Sequence, residues 1–155
     1  MTEALAPTPF TADEIRAGCP VGRSVTVRMS GDQDLTTKWR STFLECDEQG
    51  AVVETRMVPG EWERPRPPSE ARVSWGERRM QAALPAEATE ITEETIETPL
   101  GALECLRYEV SAPEGLRILW FAKALPGQPV RIGTVVNGEI EVSSEIVHDT
   151  AWPSD

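Results

Sequence analysis

The sequence predicts one α+β domain, mainly of antiparallel β-strands, with a short helix against a curved sheet or half-barrel and a short N-terminal helix. The chain has 155 residues, of which 39% are hydrophobic and 26% charged, which suits one packed core. Many short segments alternate apolar and polar residues, as half-buried strands do. Turn sequences rich in Gly, Pro and Asn separate them. We expect a flexible arm at residues 1–9, one β-rich domain at 10–150 and a tail at 151–155.

The N-terminal helix is predicted by its capping signals. Thr11 and Glu14 have the spacing of a capping box, and Phe10 and Ile15 have the spacing of a hydrophobic staple. We therefore expect a helix over residues 12–17.

A second capping box predicts the other helix. Ser74 and Glu77 have the same spacing, and good helix formers follow as far as Leu84, before Pro85. We expect this helix to lie against the sheet.

About eight strands are predicted from alternation and turns. The segment 116–122 is apolar on both faces, which indicates a central, covered strand. The segment 90–98 carries glutamates on both faces, which is typical of an edge strand that resists pairing. Asn137-Gly138 between two alternating segments is a strong hairpin signal, with positive φ expected at both residues. In the second of these segments, Ile140 and Val142 are predicted to face the core. The predicted strands are 24–30, 37–47, 51–58, 90–98, 102–111, 116–122, 129–136 and 139–147.

Two segments depart from simple alternation. In strand 102–111 the apolar phase shifts between Cys105 and Leu106, for which we predict a β-bulge. Residues 59–69 contain four prolines, and we interpret them as an exposed connection.

Charge excludes some classes of partner. The net charge is −11, from 26 acidic and 15 basic residues, and such a surface repels nucleic acid and anionic membranes. No apolar stretch approaches the roughly 20 residues of a membrane span. The start of the chain lacks the features of a secretory signal, which predicts a cytoplasmic protein.

Catalytic and metal-binding patterns are weak in this sequence. The only histidine, His148, has just Asp149 beside it, and adjacent strand residues face opposite ways. The three cysteines, Cys19, Cys46 and Cys105, are widely spaced and favour buried free thiols over a metal site, although two of them could bridge in an oxidising compartment. We expect no catalytic set, no metal and no cofactor, and therefore no enzyme.

Arginine and tryptophan are unevenly distributed. Arginines interleaved with glutamates indicate a mixed charged surface, with docking of an acidic partner as the alternative interpretation. These arginines are Arg64, Arg66, Arg72, Arg78 and Arg79. Of the five tryptophans, we expect Trp120 to be buried, whereas Trp62 and Trp152 have the polar, Pro-containing surroundings of exposed residues.

The C-terminal half carries a resemblance to a known group of proteins. Thr98-Pro99-Leu100-Gly101, Cys105-Leu106-Arg107-Tyr108 and the segment from Trp120 to Arg131 resemble a pattern in an uncharacterised family of small bacterial β-rich proteins. That family loosely resembles the half-barrels of LolA/LolB-type carriers. The resemblance implies a curved antiparallel sheet that wraps a helix, and it carries over no functional residue.

A geometric mismatch leads to the functional hypothesis. Strands about 4.8 Å apart give a sheet roughly 35–40 Å wide, whereas the second helix is only about 15 Å long. The uncovered part of the apolar face must then curl onto itself, contact another chain or hold a ligand. We expect a binding protein that holds an apolar or lipid-like ligand against Trp75, Met80, Ile118 and Trp120. The alternative is a protein-interaction or homodimerisation module that uses the uncovered face or an edge strand.

Overall fold

The computed structural model describes residues 4–30, 36–58, 67–113 and 115–152. Within them, nine antiparallel strands form one curved, unclosed sheet that is accompanied by two α-helices, which confirms the predicted fold class. The elements are α1 (Ala12–Gly18), β1 (Ser24–Ser30), β2 (Thr36–Cys46), β3 (Gly50–Val58), β4 (Ser69–Ser74), α2 (Trp75–Met80), a 3-10 turn (Ala86–Ala88), β5 (Thr89–Thr98), β6 (Gly101–Ala112), β7 (Gly115–Ala122), β8 (Arg131–Val136) and β9 (Glu139–Asp149).

The sheet consists of two meanders. The strand order is β4-β3-β2-β1-β9-β8-β7-β6-β5, so that the meanders meet where β1 pairs with β9. The connection from β4 to β5 leads from one edge of the sheet to the other and contains α2. This crossing places a helix over one face of the sheet.

Strand β5 lies at one edge, as the glutamate pattern predicted. Glu90 and Glu93 on this strand are exposed. Their charges oppose pairing of the free edge with a further strand.

The opposite edge of the sheet is strand β4, which was not predicted. The sequence predicted an exposed connection up to residue 69 and then the second helix. Residues 69–74 pair antiparallel with β3. Most of their side chains are exposed, so the strand is held mainly by backbone pairing. Its sequence therefore lacks the alternation of apolar and polar residues that would have predicted a strand. The proline-rich residues 59–66, with Trp62, lie outside the described residues.

Both predicted helix starts are confirmed. Thr11 and Glu14 form both bonds of the capping box, and the Ser74 side chain accepts from the backbone N–H of Glu77. Helix α2 ends at Met80 instead of Leu84. After Met80 the chain changes to tighter turns, in which the N–H of Ala82 donates to the oxygen of Arg79 and that of Ala83 to the oxygen of Met80.

Strand β7 separates two cores. Leu119 and Phe121 belong to a cluster packed against the helices, whereas Ile118 and Trp120 belong to a second cluster. We call these two sides of β7 the helix face and the opposite face. The strand is buried on both sides, which agrees with its continuous apolar sequence.

The β-bulge predicted in strand β6 is absent. The pairing of this strand with β5 and β7 continues without a register shift through Cys105 and Leu106. Cys105 packs in the opposite-face cluster and Leu106 against the helix-face cluster. The apolar phase shift therefore reflects burial on both faces.

The opposite face is enclosed by the sheet itself. The β5–β6 turn region lies over it, and Arg131 of β8 donates to the backbone oxygen of Glu97. The indole N–H of Trp152 donates to the oxygen of Leu100 at 2.9 Å, and its ring packs against this cluster. Trp152 is therefore half-buried, which corrects its predicted exposure.

The expected N-terminal arm is attached to the domain along its described part. Ala6 is buried, and its N–H donates to the oxygen of Leu84 at 2.8 Å. The Tyr108 hydroxyl donates to the oxygen of Pro7. Residues 1–3 lie outside the described residues.

The β8–β9 turn has the predicted conformation, with φ of 51° at Asn137 and 80° at Gly138. Because a β-branched residue is strained at positive φ, Gly138→Val is expected to lower the free energy of unfolding by at least about 1 kcal/mol. Urea denaturation measures the change. Gly76→Ala, within helix α2 and free of close contacts, should instead leave stability equal or raise it by up to about 1 kcal/mol. Equal stability of Gly138→Val and wild type would contradict the strained-turn explanation.

Candidate functional site

The four residues predicted to bind a ligand do not line one groove. Trp75 is buried in the helix-face cluster, and Met80, at the end of α2, is 55% exposed. Ile118 and Trp120 are buried in the opposite-face cluster. The sheet lies between the two pairs.

Trp120 lies in a closely fitted environment. The guanidinium carbons of Arg107 and Arg131 each lie 5.6 Å from the centre of its ring system. Its indole N–H donates to Glu94 Oε2 at 3.1 Å. A Cβ atom on Gly133 would lie 3.4 Å from Trp120 Cζ3, which is an ordinary contact distance, so the ring packs closely over Gly133. The ring is therefore fixed by cation–π contacts, one hydrogen bond and close packing.

The two arginines beside Trp120 are themselves paired. Arg107 Nη1 lies 2.9 Å from Glu94 Oε2, and Arg131 Nη2 lies 2.6 Å from Glu145 Oε2. The hydrogen bond from Trp120, followed by that from Arg107, lowers the pKa of Glu94 despite partial burial. This network stabilises the opposite face, and its charged groups form ion pairs with one another.

Part of the β8–β9 hairpin has no described pairing with the neighbouring strands. Pairing of β7 with β8 ends at Thr134, and pairing of β1 with β9 ends at Ser144. Within the described residues, segment 135–143 is therefore paired only with itself. We call this segment the hairpin arm. An isolated two-stranded hairpin is marginally stable in water. Contact with another surface would therefore stabilise the hairpin arm.

One face of the hairpin arm is apolar. Val135 is paired with Ile140, and Gly133 is paired with Val142. Ile140 and Val142 are 45% and 40% exposed, although the sequence alone predicted that they would face the core. A Cβ on Gly133 would meet both Ile140 and the Trp120 ring. The apolar surface thus continues from the buried opposite-face cluster onto the arm.

Two cavities along the β5–β6 hairpin are acidic. One, of about 160 Å³, is lined by Glu93, Glu94, Thr95, Glu104, Cys105 and Lys123. The other, of about 290 Å³, is lined by Glu87, Ala88, Thr89, Glu90, Glu109, Ser111 and Leu116. Sites for apolar ligands are lined mainly by apolar and aromatic side chains. These two cavities therefore do not have the lining that a lipid-like ligand requires.

A third cavity, of about 10 Å³, lies beside helix α2. Its lining includes two guanidinium groups. The lining residues are Arg23, Val25, Ser41, Phe43, Arg78, Pro126 and Gln128.

Arg23 is tied to the end of β9. It forms a bidentate, buried pair with Asp149, with Nε–Oδ1 at 3.2 Å and Nη2–Oδ2 at 2.7 Å. Its Nη1 also donates to the backbone oxygens of Gly18 and Pro126. Burial alone would lower the pKa of Arg23, but the hydrogen bond and charge of Asp149 raise it. This pair joins α1, the β7–β8 connection and β9.

The cysteine thiols lie in environments that favour the protonated form. Burial raises the pKa of Cys19 and Cys46, and it raises that of Cys105 to about 11. All three are free thiols. A thiol with a raised pKa is a weak nucleophile at neutral pH, because little of it is thiolate.

Other chemistry-bearing groups are dispersed. His148 is an exposed residue of β9, paired with Thr26. Among the described residues, no cluster of three or more His, Cys, Asp or Glu side chains is arranged to hold a metal ion. The described helices also include none that is long and apolar enough to cross a membrane.

Sequence patterns gave partial signals for the features found here. The Asn137-Gly138 motif identified the hairpin, but where β1 and β7 end depends on tertiary pairing. Arg78 follows Trp75 by three residues, which places both on one side of a helix. From that spacing, Arg78 could have been predicted to lie nearer the core than the exposed arginines around it.

Comparison of the chain with protein-family models, with curated proteins and with solved structures found no match.

Proposed function

We propose that this is a non-catalytic binding protein that contacts a protein partner through the apolar face of the hairpin arm. The observation that carries the proposal is the exposure of Ile140 and Val142 on a hairpin arm that, among the described residues, pairs only with itself. Exposed apolar surface next to polar residues is typical of interaction sites. The unpaired backbone of an arm can also add to a strand of another protein.

The charge of the chain favours a basic partner over a second copy. Glu139 and Glu141 are exposed on the arm, and the whole chain has a net charge of −11. Two copies would repel one another, whereas a basic segment would be attracted. The proposed partner is therefore an extended, lysine- or arginine-rich segment with alternating apolar side chains.

An apolar or lipid-like small molecule is the competing occupant. Such a ligand normally has 70–90% or more of its surface buried in a pocket. The arm offers an open surface, and the two larger described cavities are acidic. These features favour a protein segment over a small molecule.

A designed peptide provides the test. We expect a short peptide of alternating lysine and valine to bind the wild-type protein and to shift the backbone NMR signals of the arm. Ile140→Ser combined with Val142→Ser should weaken binding about tenfold, because partner contacts with two apolar side chains are lost.

Two controls distinguish the interpretations. Val136→Ser alters an exposed apolar residue of the arm whose strand partner is Glu139, and it should leave peptide affinity within about twofold of wild type. A glutamate–valine peptide should not bind. Equal affinity of the double variant and wild type would contradict the proposal. Native mass spectrometry that showed a retained apolar small molecule would favour the competing occupant.

A further inference from the structure

Arg78 has an unusual environment for a charged side chain. Its guanidinium carbon lies 5.3 Å from the centre of the Phe43 ring. Its Nε atom is buried and has no hydrogen-bond partner in the described part of the chain. The residue as a whole is only partly buried, but a buried N–H group without a partner is costly.

The nearby charges do not balance Arg78. Arg23 lines the same cavity, but its own charge is compensated by Asp149. Arg78 forms no ion pair with any of the described residues. Burial, and to a smaller extent the charge of Arg23, lowers the pKa of Arg78. One positive charge therefore remains without a carboxylate at this cavity.

The remaining lining can donate to an anion. Ser41 supplies a hydroxyl and Gln128 an amide, and both border the cavity with the two arginines. The side chains of Phe43, Val25 and Pro126 form the apolar part of the wall. A site with charged donors and partial exclusion of water strengthens the attraction for an anion.

We propose that the cavity between Arg78 and Arg23 binds a small monovalent anion of about the size of chloride. The cavity volume of about 10 Å³ is too small for phosphate or sulfate, which restricts the proposal to a monatomic anion. Bound there, the anion links helix α2 to β2 and to the β7–β8 connection. This site is separate from the hairpin arm and does not depend on the function proposed for it.

Thermal unfolding at constant ionic strength tests the proposal. Sodium chloride is compared with sodium gluconate, whose anion is too large for the cavity, so that general screening of the acidic surface is matched. At a chloride concentration ten times the Kd, the Tm of wild type should be about 3 °C higher than in gluconate.

Arg78→Met should abolish this difference, and its Tm in gluconate should equal or exceed that of wild type because an uncompensated charge is removed. Arg79→Met, which changes the adjacent exposed arginine, should retain the full chloride effect. Should Arg78→Met not fold, bromide-soaked crystals of wild type decide the matter, since anomalous density is expected between Arg78 and Arg23. Identical wild-type Tm values in the two salts, or crystals without bromide at this position, would overturn the proposal.

Discussion

Asp149→Ala is expected to lower the free energy of unfolding by about 3–5 kcal/mol, because it removes one partner of a buried ion pair. The side chains of Arg23 and Asp149 are 4% and 0% exposed, so water cannot replace the lost carboxylate. A domain of this kind has only about 5–15 kcal/mol of stability. Urea denaturation should show a greatly lowered midpoint, and size-exclusion chromatography should show an expanded or aggregated fraction.

An exposed pair supplies the matched control. Lys123 and Glu93 are 3.0 Å apart, but their side chains are 41% and 73% exposed. Glu93→Ala should therefore change the free energy of unfolding by less than about 1 kcal/mol. Asp149→Asn separates the loss of charge from the loss of volume, and it should destabilise the protein substantially while retaining the shape of the side chain. Equal midpoints for Asp149→Ala and Glu93→Ala would show that the buried pair does not hold α1 to β9.

Much of the fold could be predicted from the sequence, because helix starts and tight turns are determined by a few neighbouring residues. The capping box at Thr11 and Glu14 and the turn at Asn137-Gly138 depend on backbone geometry within a few residues. The interior position of strand β7 followed from its apolar sequence, since a strand covered on both faces buries consecutive side chains, here residues 118–122.

The features that sequence patterns missed depend on long-range packing. Strand β4 gains its stability from pairing with β3 and is largely exposed, so alternation could not identify it. Trp152 follows a polar segment, and its burial depends on Leu100, which lies 52 positions earlier in the chain. The phase shift in β6 resembled a bulge because a second core covers the other face of that strand.

The candidate site was harder to predict than the fold for the same reason. Apolar residues were assumed to share one groove, whereas the sheet places Trp75 on the helix face and Trp120 on the opposite face. Residues that alternate towards a predicted core, such as Ile140 and Val142, are exposed where the described pairing of β9 with β1 has ended. Neither fact is encoded in the pattern of the strand itself.

Trp120→Ala is the second change for which we expect a large effect. The side chain is 3% exposed, and its ring lies against two guanidinium groups and packs over Gly133. Deletion of a large aromatic side chain from a packed core costs about 3–5 kcal/mol, partly through the cavity that remains. Here it also removes the N–H that donates to Glu94 and the ring face between the arginines. The variant should be poorly soluble or largely unfolded at room temperature.

Two further variants divide this effect into its causes. Trp120→Phe keeps an aromatic ring but loses the hydrogen bond to Glu94, and it should be less destabilising than Trp120→Ala. Trp152→Ala removes a half-buried ring and one hydrogen bond, so its cost should be about 1–2 kcal/mol. Urea denaturation gives the order, and loss of a blue-shifted, quencher-protected fluorescence component should accompany the loss of Trp120. If Trp120→Ala unfolded at the same urea concentration as Trp152→Ala, the placement of Trp120 at the centre of the opposite-face core would be wrong.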